Sequence, residues 1–226
     1  HSNHRTHPST KAQHIRKTSH RSQSTKTQEQ EVTRFVGAAS PYTTDPLYYR
    51  PHQHALPAAM PCFRLIDDEG VPVDGALLPE IHEETMRDMH KTMIKVNEFD
   101  KVFNEAQRQG RLSFYFTNRG EEACSVGSGA ALDNRDWVWP QYRELGATFW
   151  RGYTIEEAAN QCCHNELDMT KGRQLPMHIG SAEKHLMYVK SNLGQQVPAA
   201  NGAAYFCKLS KQKLCALTDF GEGCAP

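Results

Sequence analysis

Close to its end the chain reads Leu214-Cys215-Ala216-Leu217-Thr218-Asp219-Phe220-Gly221-Glu222-Gly223, an apolar run of strand length closed by two glycines that bracket one carboxylate. Glycines after a buried strand let the backbone turn tightly and approach a ligand closely. The helix that normally follows such a turn offers free N–H groups to a phosphate. The carboxylate between the glycines is placed to hold the divalent cation that a diphosphate brings with it. A Gly-Glu-Gly turn can also be only a strand end, so its meaning depends on the rest of the chain.

The 226 residues suffice for one large domain or two small ones. A hydrophobic fraction of 38% and a mean hydropathy of −0.68 are low for a compact domain and predict a polar, poorly ordered part. Formal net charge is zero, which gives no overall argument for nucleic acid or membrane. No apolar run approaches membrane-spanning length. Seven cysteines, an odd number with no CxxC pair, argue against a disulfide framework and for a reducing compartment. The chain begins with His1 rather than Met and stops shortly after the glycine turn, so it reads as a fragment of a longer protein.

The polar part is expected at the start. Arg5, Lys11, Arg16, Lys17, Arg21, Lys26 and Arg34 stand among Ser, Thr and His, with no acid before Glu29. This composition matches an organelle transit peptide, and a basic disordered tail or nucleic-acid arm is the alternative. No aromatic residues interleave the charges to favour nucleic acid. We therefore expect residues 1–60 to be transit-peptide-like and disordered. Residues 61–79 are expected to form an extended arm, with a short strand at Phe63–Ile66, a turn over Asp67–Gly70 and a second strand at Val71–Val73.

The regular part is expected from residue 80 onward. Pro79 suits a helix start, and Gly110 a left-handed stop. Between them Met86, Met89, Met93, Val96, Val102, Phe103 and Ala106 recur mostly at spacings of three and four, which predicts one long helix with a buried stripe. Glu121 and Glu122 complement the dipole of a second helix, whose small residues Gly127 to Ala131 allow close approach. Trp137-Val138-Trp139 is a short apolar run, and Thr154 with Glu157 has capping-box spacing. Cys162-Cys163-His164 lacks a second cluster to complete a tetrahedral metal site, so structural cysteines are expected. A small-residue helix from Ala199 to Ala204 leads into the closing strand. This order predicts an α/β domain with a mostly parallel sheet and a ligand at the carboxyl ends of the strands.

With these segments in order, the chain from about Cys62 onward resembles the alpha subunit of the branched-chain 2-oxo acid dehydrogenase, the decarboxylating component that uses thiamine diphosphate. The carriers are Gln-Arg-Gln-Gly-Arg-Leu-Ser-Phe-Tyr (107–115), Thr-Asn-Arg-Gly-Glu-Glu (117–122), Gln-Tyr-Arg-Glu (141–144), Lys-Gly-Arg-Gln-Leu-Pro-Met-His (171–178) and Phe-Gly-Glu-Gly (220–223). The first two favour the branched-chain enzyme over its pyruvate relative, with a pyruvate- or acetoin-type relative as the alternative enzyme reading. The resemblance implies a thiamine-diphosphate-binding fold over residues 80–226, incomplete because it is cut after the Gly-Glu-Gly motif. It also implies a mitochondrial-matrix heterotetramer of two alpha and two beta subunits that hands its acyl product to a lipoyl-bearing acyltransferase, with no nucleic acid and no membrane as partner.

The same resemblance assigns residues. Glu222 would hold magnesium, Tyr142 and Arg143 would face the diphosphate, and Gly221, Gly223 and Cys224 would lie along it, with cysteine where alanine is usual. Ser191 and Leu193 match the loop beside the aminopyrimidine ring, and Gln196 matches a ligand in the family's potassium loop. That loop is altered, since Lys190 replaces a serine and Gln195 a threonine. Potassium is therefore doubtful: either the Lys190 ammonium stands in for the ion, or it points into solvent. The family's second magnesium-binding segment would lie past Pro226, so this chain would carry about half of the cofactor site. A truncated, non-catalytic chain that only binds beta subunits is the alternative.

Overall fold

The computed structural model describes residues 32–33, 39–46 and 61–224, except for the side chain of Glu222. Most of the transit-peptide-like segment expected over residues 1–60 lies outside the described residues. The chain divides into two units, His1–Pro79 and Glu80–Pro226.

In the first unit, β1 (Tyr42–Thr43) pairs in parallel with β2 (Cys62–Phe63). The expected strand–turn–strand follows in reduced form. Asp67 Oδ1 accepts from the amides of Glu69 (3.1 Å) and Val71 (2.7 Å), Gly70 takes φ +82°, and a single antiparallel bridge joins Ile66 to Pro72. The bridge is made by Asp67 N donating to Val71 O (2.8 Å) and Val73 N to Leu65 O (3.0 Å), while the Val71 amide turns to the Asp67 side chain instead of extending the ladder. The Arg64 guanidinium lies 4.3 Å over the Tyr42 ring and pairs with Asp68 at 2.9 Å.

The second unit opens with α1 (Glu83–Arg108), which starts four residues later than Pro79 suggests. His82 is extended, and Glu83 and Glu84 occupy the first turn, where acids complement the dipole. Gly110 terminates the helix at φ +75°. The buried stripe is narrower than its sequence pattern. Thr92, Val96, Phe99 and Asp100 are buried, whereas Met86 and Val102 are exposed. Phe99 stacks on Phe103 (4.1 Å) and meets the edge of Phe149 (5.7 Å). Asp100 ties the helix to the segment beyond it, since Oδ1 accepts from Tyr115 Oη (2.8 Å) and Asn118 Nδ2 (2.9 Å), and Oδ2 from Asn118 N (2.6 Å).

Next come α2 (Glu122–Ala130), β3 (Trp137–Trp139), α3 (Leu145–Trp150), α4 (Ile155–Cys163), α5 (Gln196–Leu209) and β4 (Ala216–Thr218). A Cβ on Gly129 would meet Ala147 Cα at 3.0 Å, and one on Gly146 would meet Ser125 Oγ and Val126 Cγ2 at 2.9 Å, so two glycines let α2 and α3 pack backbone to backbone. The capping box at α4 is complete: Thr154 Oγ1 accepts from Glu157 N (3.0 Å), and Glu157 Oε2 accepts from Thr154 N (2.7 Å). Cys162 is buried with Sγ 3.9 Å from Met177 Sδ, Cys163 is exposed, and His164 caps the helix in the left-handed region at φ 52°.

β3 and β4 are parallel, with Trp137, Val138 and Trp139 opposite Ala216, Leu217 and Thr218. On the other side of β3, Val138 donates to His185 O (3.0 Å) and accepts from Met187 N (2.9 Å), so the 185–187 segment lies alongside it. The fully buried Val138 is thus central, and the core around it includes Val96, Leu145, Phe149, Tyr153 and Leu186.

Candidate functional site

Because β3 and β4 run parallel and in register, their carboxyl ends emerge side by side. Trp139 pairs with Thr218, so residues 141–144 and 219–221 leave the sheet next to each other. Between them opens a cleft of about 330 Å³ lined by Glu121, Gln141, Tyr142, Arg143, Glu144, Phe220 and Gly221. Ligands of α/β sheets bind at this end because loops there diverge and leave backbone groups unpaired.

The charged group on one wall is Arg143. Nη1 donates to Thr117 O at 2.9 Å, and the guanidinium lies 5.3 Å over the Phe116 ring and 5.9 Å over that of Tyr142. The two rings lie 5.3 Å apart. Stacking holds the fork in place while leaving donors for an anion. Glu144 lines the same cleft, and Asp219 lies near Glu144. Burial pushes Glu144 up to about 7, the nearby Asp219 adds to this, and hydrogen bonds from the backbone of Gln141 and Arg143 oppose it. Burial raises Asp219 to about 6, and its Oδ2 has no hydrogen-bond partner.

Behind the cleft, Gln141 joins three segments through one oxygen. Its Oε1 accepts from Gly221 N (3.2 Å), Gln196 Nε2 (3.2 Å) and Cys224 Sγ (3.7 Å). Gln196 Nε2 also donates to Asp219 O at 2.8 Å. After Gly221 the chain makes one 3-10 turn, Glu222–Cys224, with Cys224 N donating to Gly221 O at 3.0 Å. The amides of Gly221 and Cys224 are therefore both engaged within the protein.

The residues assigned by resemblance fall into two groups. Tyr142, Arg143 and Gly221 line the cleft. Gln196 and Cys224 reach it through Gln141, and Gly223 is exposed on the turn. Ser191 and Leu193 do not line the cleft. Ser191 Oγ donates to Nε2 of the buried His178 (2.8 Å), whose Nδ1 is directed at Pro176 O (3.0 Å), and Leu193 is exposed. Sequence reasoning left Gln141, Glu144 and Asp219 without a role, although the first two adjoin assigned residues and Asp219 lies two positions before Gly221.

The donor set fits a diphosphate with its divalent cation. A stacked guanidinium suits the phosphates, while Glu144 and the unpartnered Asp219 oxygen are hard ligands of the kind magnesium prefers. Lys190 is exposed and, among the described residues, makes no ion pair. Gln195 is exposed as well, and Gln196 turns its nitrogen inward to Asp219 O.

A stacked guanidinium in a cleft at the carboxyl ends of parallel strands suits an α/β protein that takes an anionic ligand there. Residues 90–226 match the dehydrogenase E1 component family, and the chain belongs to that family. It is similar to the mitochondrial 2-oxoisovalerate dehydrogenase subunit alpha of Dictyostelium discoideum, at 45% identity over 74% of this chain and 38% of that one. Subunit alpha 2 from Arabidopsis thaliana is 44% identical over 73% of this chain and 35% of its own length. The Macaca fascicularis alpha subunit is 37% identical over 91% of this chain and 46% of its own. The chain thus spans less than half the length of these relatives.

Proposed function

We propose that the chain is part of an alpha subunit of a branched-chain 2-oxo acid dehydrogenase and contributes one side of a thiamine diphosphate site. The observation that carries this reading is the meeting of Tyr142 and Arg143 with Gly221 in a single cleft at the strand ends. Arg143 would bind the diphosphate with the guanidinium donors left by Thr117 O, and Glu222 would ligate magnesium. Tyr142 and Phe116 keep the guanidinium oriented and exclude water from one face. When bound, the cofactor supplies the carbanion chemistry that decarboxylates a 2-oxo acid. Resemblance to the relatives supports the branched-chain substrate class, the beta-subunit partner in an α2β2 assembly, acyl transfer to a lipoyl domain and a mitochondrial-matrix location. On this reading residues 1–60 serve import, 61–79 form an arm, and 80–226 belong to the cofactor-binding domain.

Calorimetric titration of the full-length alpha subunit, assembled with its beta subunit, with thiamine diphosphate and magnesium tests the assignment. Glu222→Ala should abolish magnesium-dependent binding. Arg143→Lys should weaken binding about tenfold despite keeping the charge, because an ammonium reproduces neither the fork nor the stacking. Unchanged affinity in both variants would refute the site.

A further inference from the structure

Two buried side-chain amides meet behind the cleft, and their orientation follows from their backbone partners. Asp219 O can only accept, so the atom of Gln196 2.8 Å from it is the nitrogen. Gly221 N can only donate, so the atom of Gln141 3.2 Å from it is the oxygen. The two side chains, 6% and 4% exposed, then face each other as donor and acceptor at 3.2 Å. No rotation of either amide is possible without setting like against like. The Gln141 oxygen also receives Cys224 Sγ at 3.7 Å, so it touches both the first and the last residue of the Gly221–Cys224 turn.

We propose that Gln141 is a positioning residue for the glycine turn: its amide oxygen, locked by Gln196, fixes the backbone that carries Glu222 and so sets the geometry of diphosphate binding. This rests on the cofactor reading above. Gln196 accordingly serves through its amide nitrogen as a strut from the 190–196 loop to the strand end. The relay depends on the parallel register of β3 and β4, which brings position 141 opposite the turn.

The test compares Gln141→Met, Gln196→Met, the double variant and Gln141→Glu in the full-length alpha subunit assembled with its beta subunit. It measures thiamine diphosphate affinity with magnesium by calorimetry, and amide exchange of the 217–224 segment. Each methionine variant should bind about tenfold more weakly, the size of one lost hydrogen bond. The double variant should be no weaker than the worse single one, since both remove the same relay. Gly221 exchange should accelerate in Gln141→Met and stay slow in Gln141→Glu, which keeps an acceptor oxygen. Faster exchange with unchanged affinity would make Gln141 merely structural, and additive losses would separate the two amides; either overturns the proposal. Should Gln141→Met fail to fold, Gln196→Met, which leaves the acceptor for Gly221 in place, carries the test. A wild-type protein that binds no cofactor overturns the reading beneath, and this one with it. Normal wild-type binding with unaffected variants overturns this one alone.

Discussion

Asp100 shows how a buried carboxylate can be required by geometry even though burial pushes its pKa upward against three hydrogen bonds. All three groups around it are donors: Tyr115 Oη and Asn118 Nδ2 on one oxygen, Asn118 N on the other. An asparagine at this position must set its NH2 against one of them. Turning Asn118 over to compensate would bring its own NH2 against Leu145 N, which now donates to Asn118 Oδ1 at 3.2 Å. Asp100→Asn should therefore destabilise by about 1–3 kcal/mol, the cost of one buried polar group left unpaired. Urea unfolding measures this, and a change under about 0.5 kcal/mol would mean that the network rearranges. The same network reaches the site, because Asn118 follows Thr117, whose carbonyl holds Arg143. None of these pairings is a pattern in the sequence. Asp100 and Asn118 are separated by the helix end and a loop, and only packing reveals that one satisfies the other.

Helices and their caps were the most legible features, since each rests on local chemistry. The Thr154–Glu157 box was readable from spacing alone, and Thr154→Ala should cost about 1 kcal/mol of unfolding free energy, measured in denaturant. The α2–α3 contact was half readable. Small residues from Gly127 to Ala131 announced a close approach, but of the two glycines among them only Gly129 makes it, and its counterpart Gly146 carried no signal. Gly146→Ala places a methyl 2.9 Å from Ser125 Oγ and Val126 Cγ2 and should destabilise by about 1–3 kcal/mol through overpacking, with a lowered Tm as the readout. A neutral substitution would show that α3 can shift outward. The stripe on α1 was overextended for a tertiary reason. Its period holds from Met86 to Ala106, but no residue before Thr92 is buried, and Val102 falls out of phase. Periodicity marks a face; what covers that face depends on the neighbours.

The cleft as a whole was legible only in part, because it is assembled by register rather than by sequence proximity. Tyr142, Arg143 and Gly221 were singled out, but the contact of Gln141 with Gly221 spans 80 positions and exists only because β3 and β4 are parallel neighbours. The site also leaves a mark on global stability. Glu144, ordinarily at 4.5, is raised to about 7 by burial and by the nearby Asp219, which burial raises from 3.8 to about 6. Folding thus tightens proton binding at both groups. Between the ordinary and the raised values the folded state carries more protons than the unfolded one, so stability falls as pH increases. The contribution is complete below about 4, is lost as pH passes through about 6 and about 7, and is flat above that. Glu144→Gln keeps an acceptor for Arg143 N, now at 3.1 Å from Glu144 Oε2, and cannot ionise. In the absence of cofactor its Tm should match wild type near pH 4.5, exceed it at pH 8, and diverge mainly across the interval in which Glu144 titrates. Circular dichroism melts at a series of pH values decide the matter: parallel curves for the two proteins would show that Glu144 is solvated and ionised throughout, and that the cleft is wetter than its geometry implies.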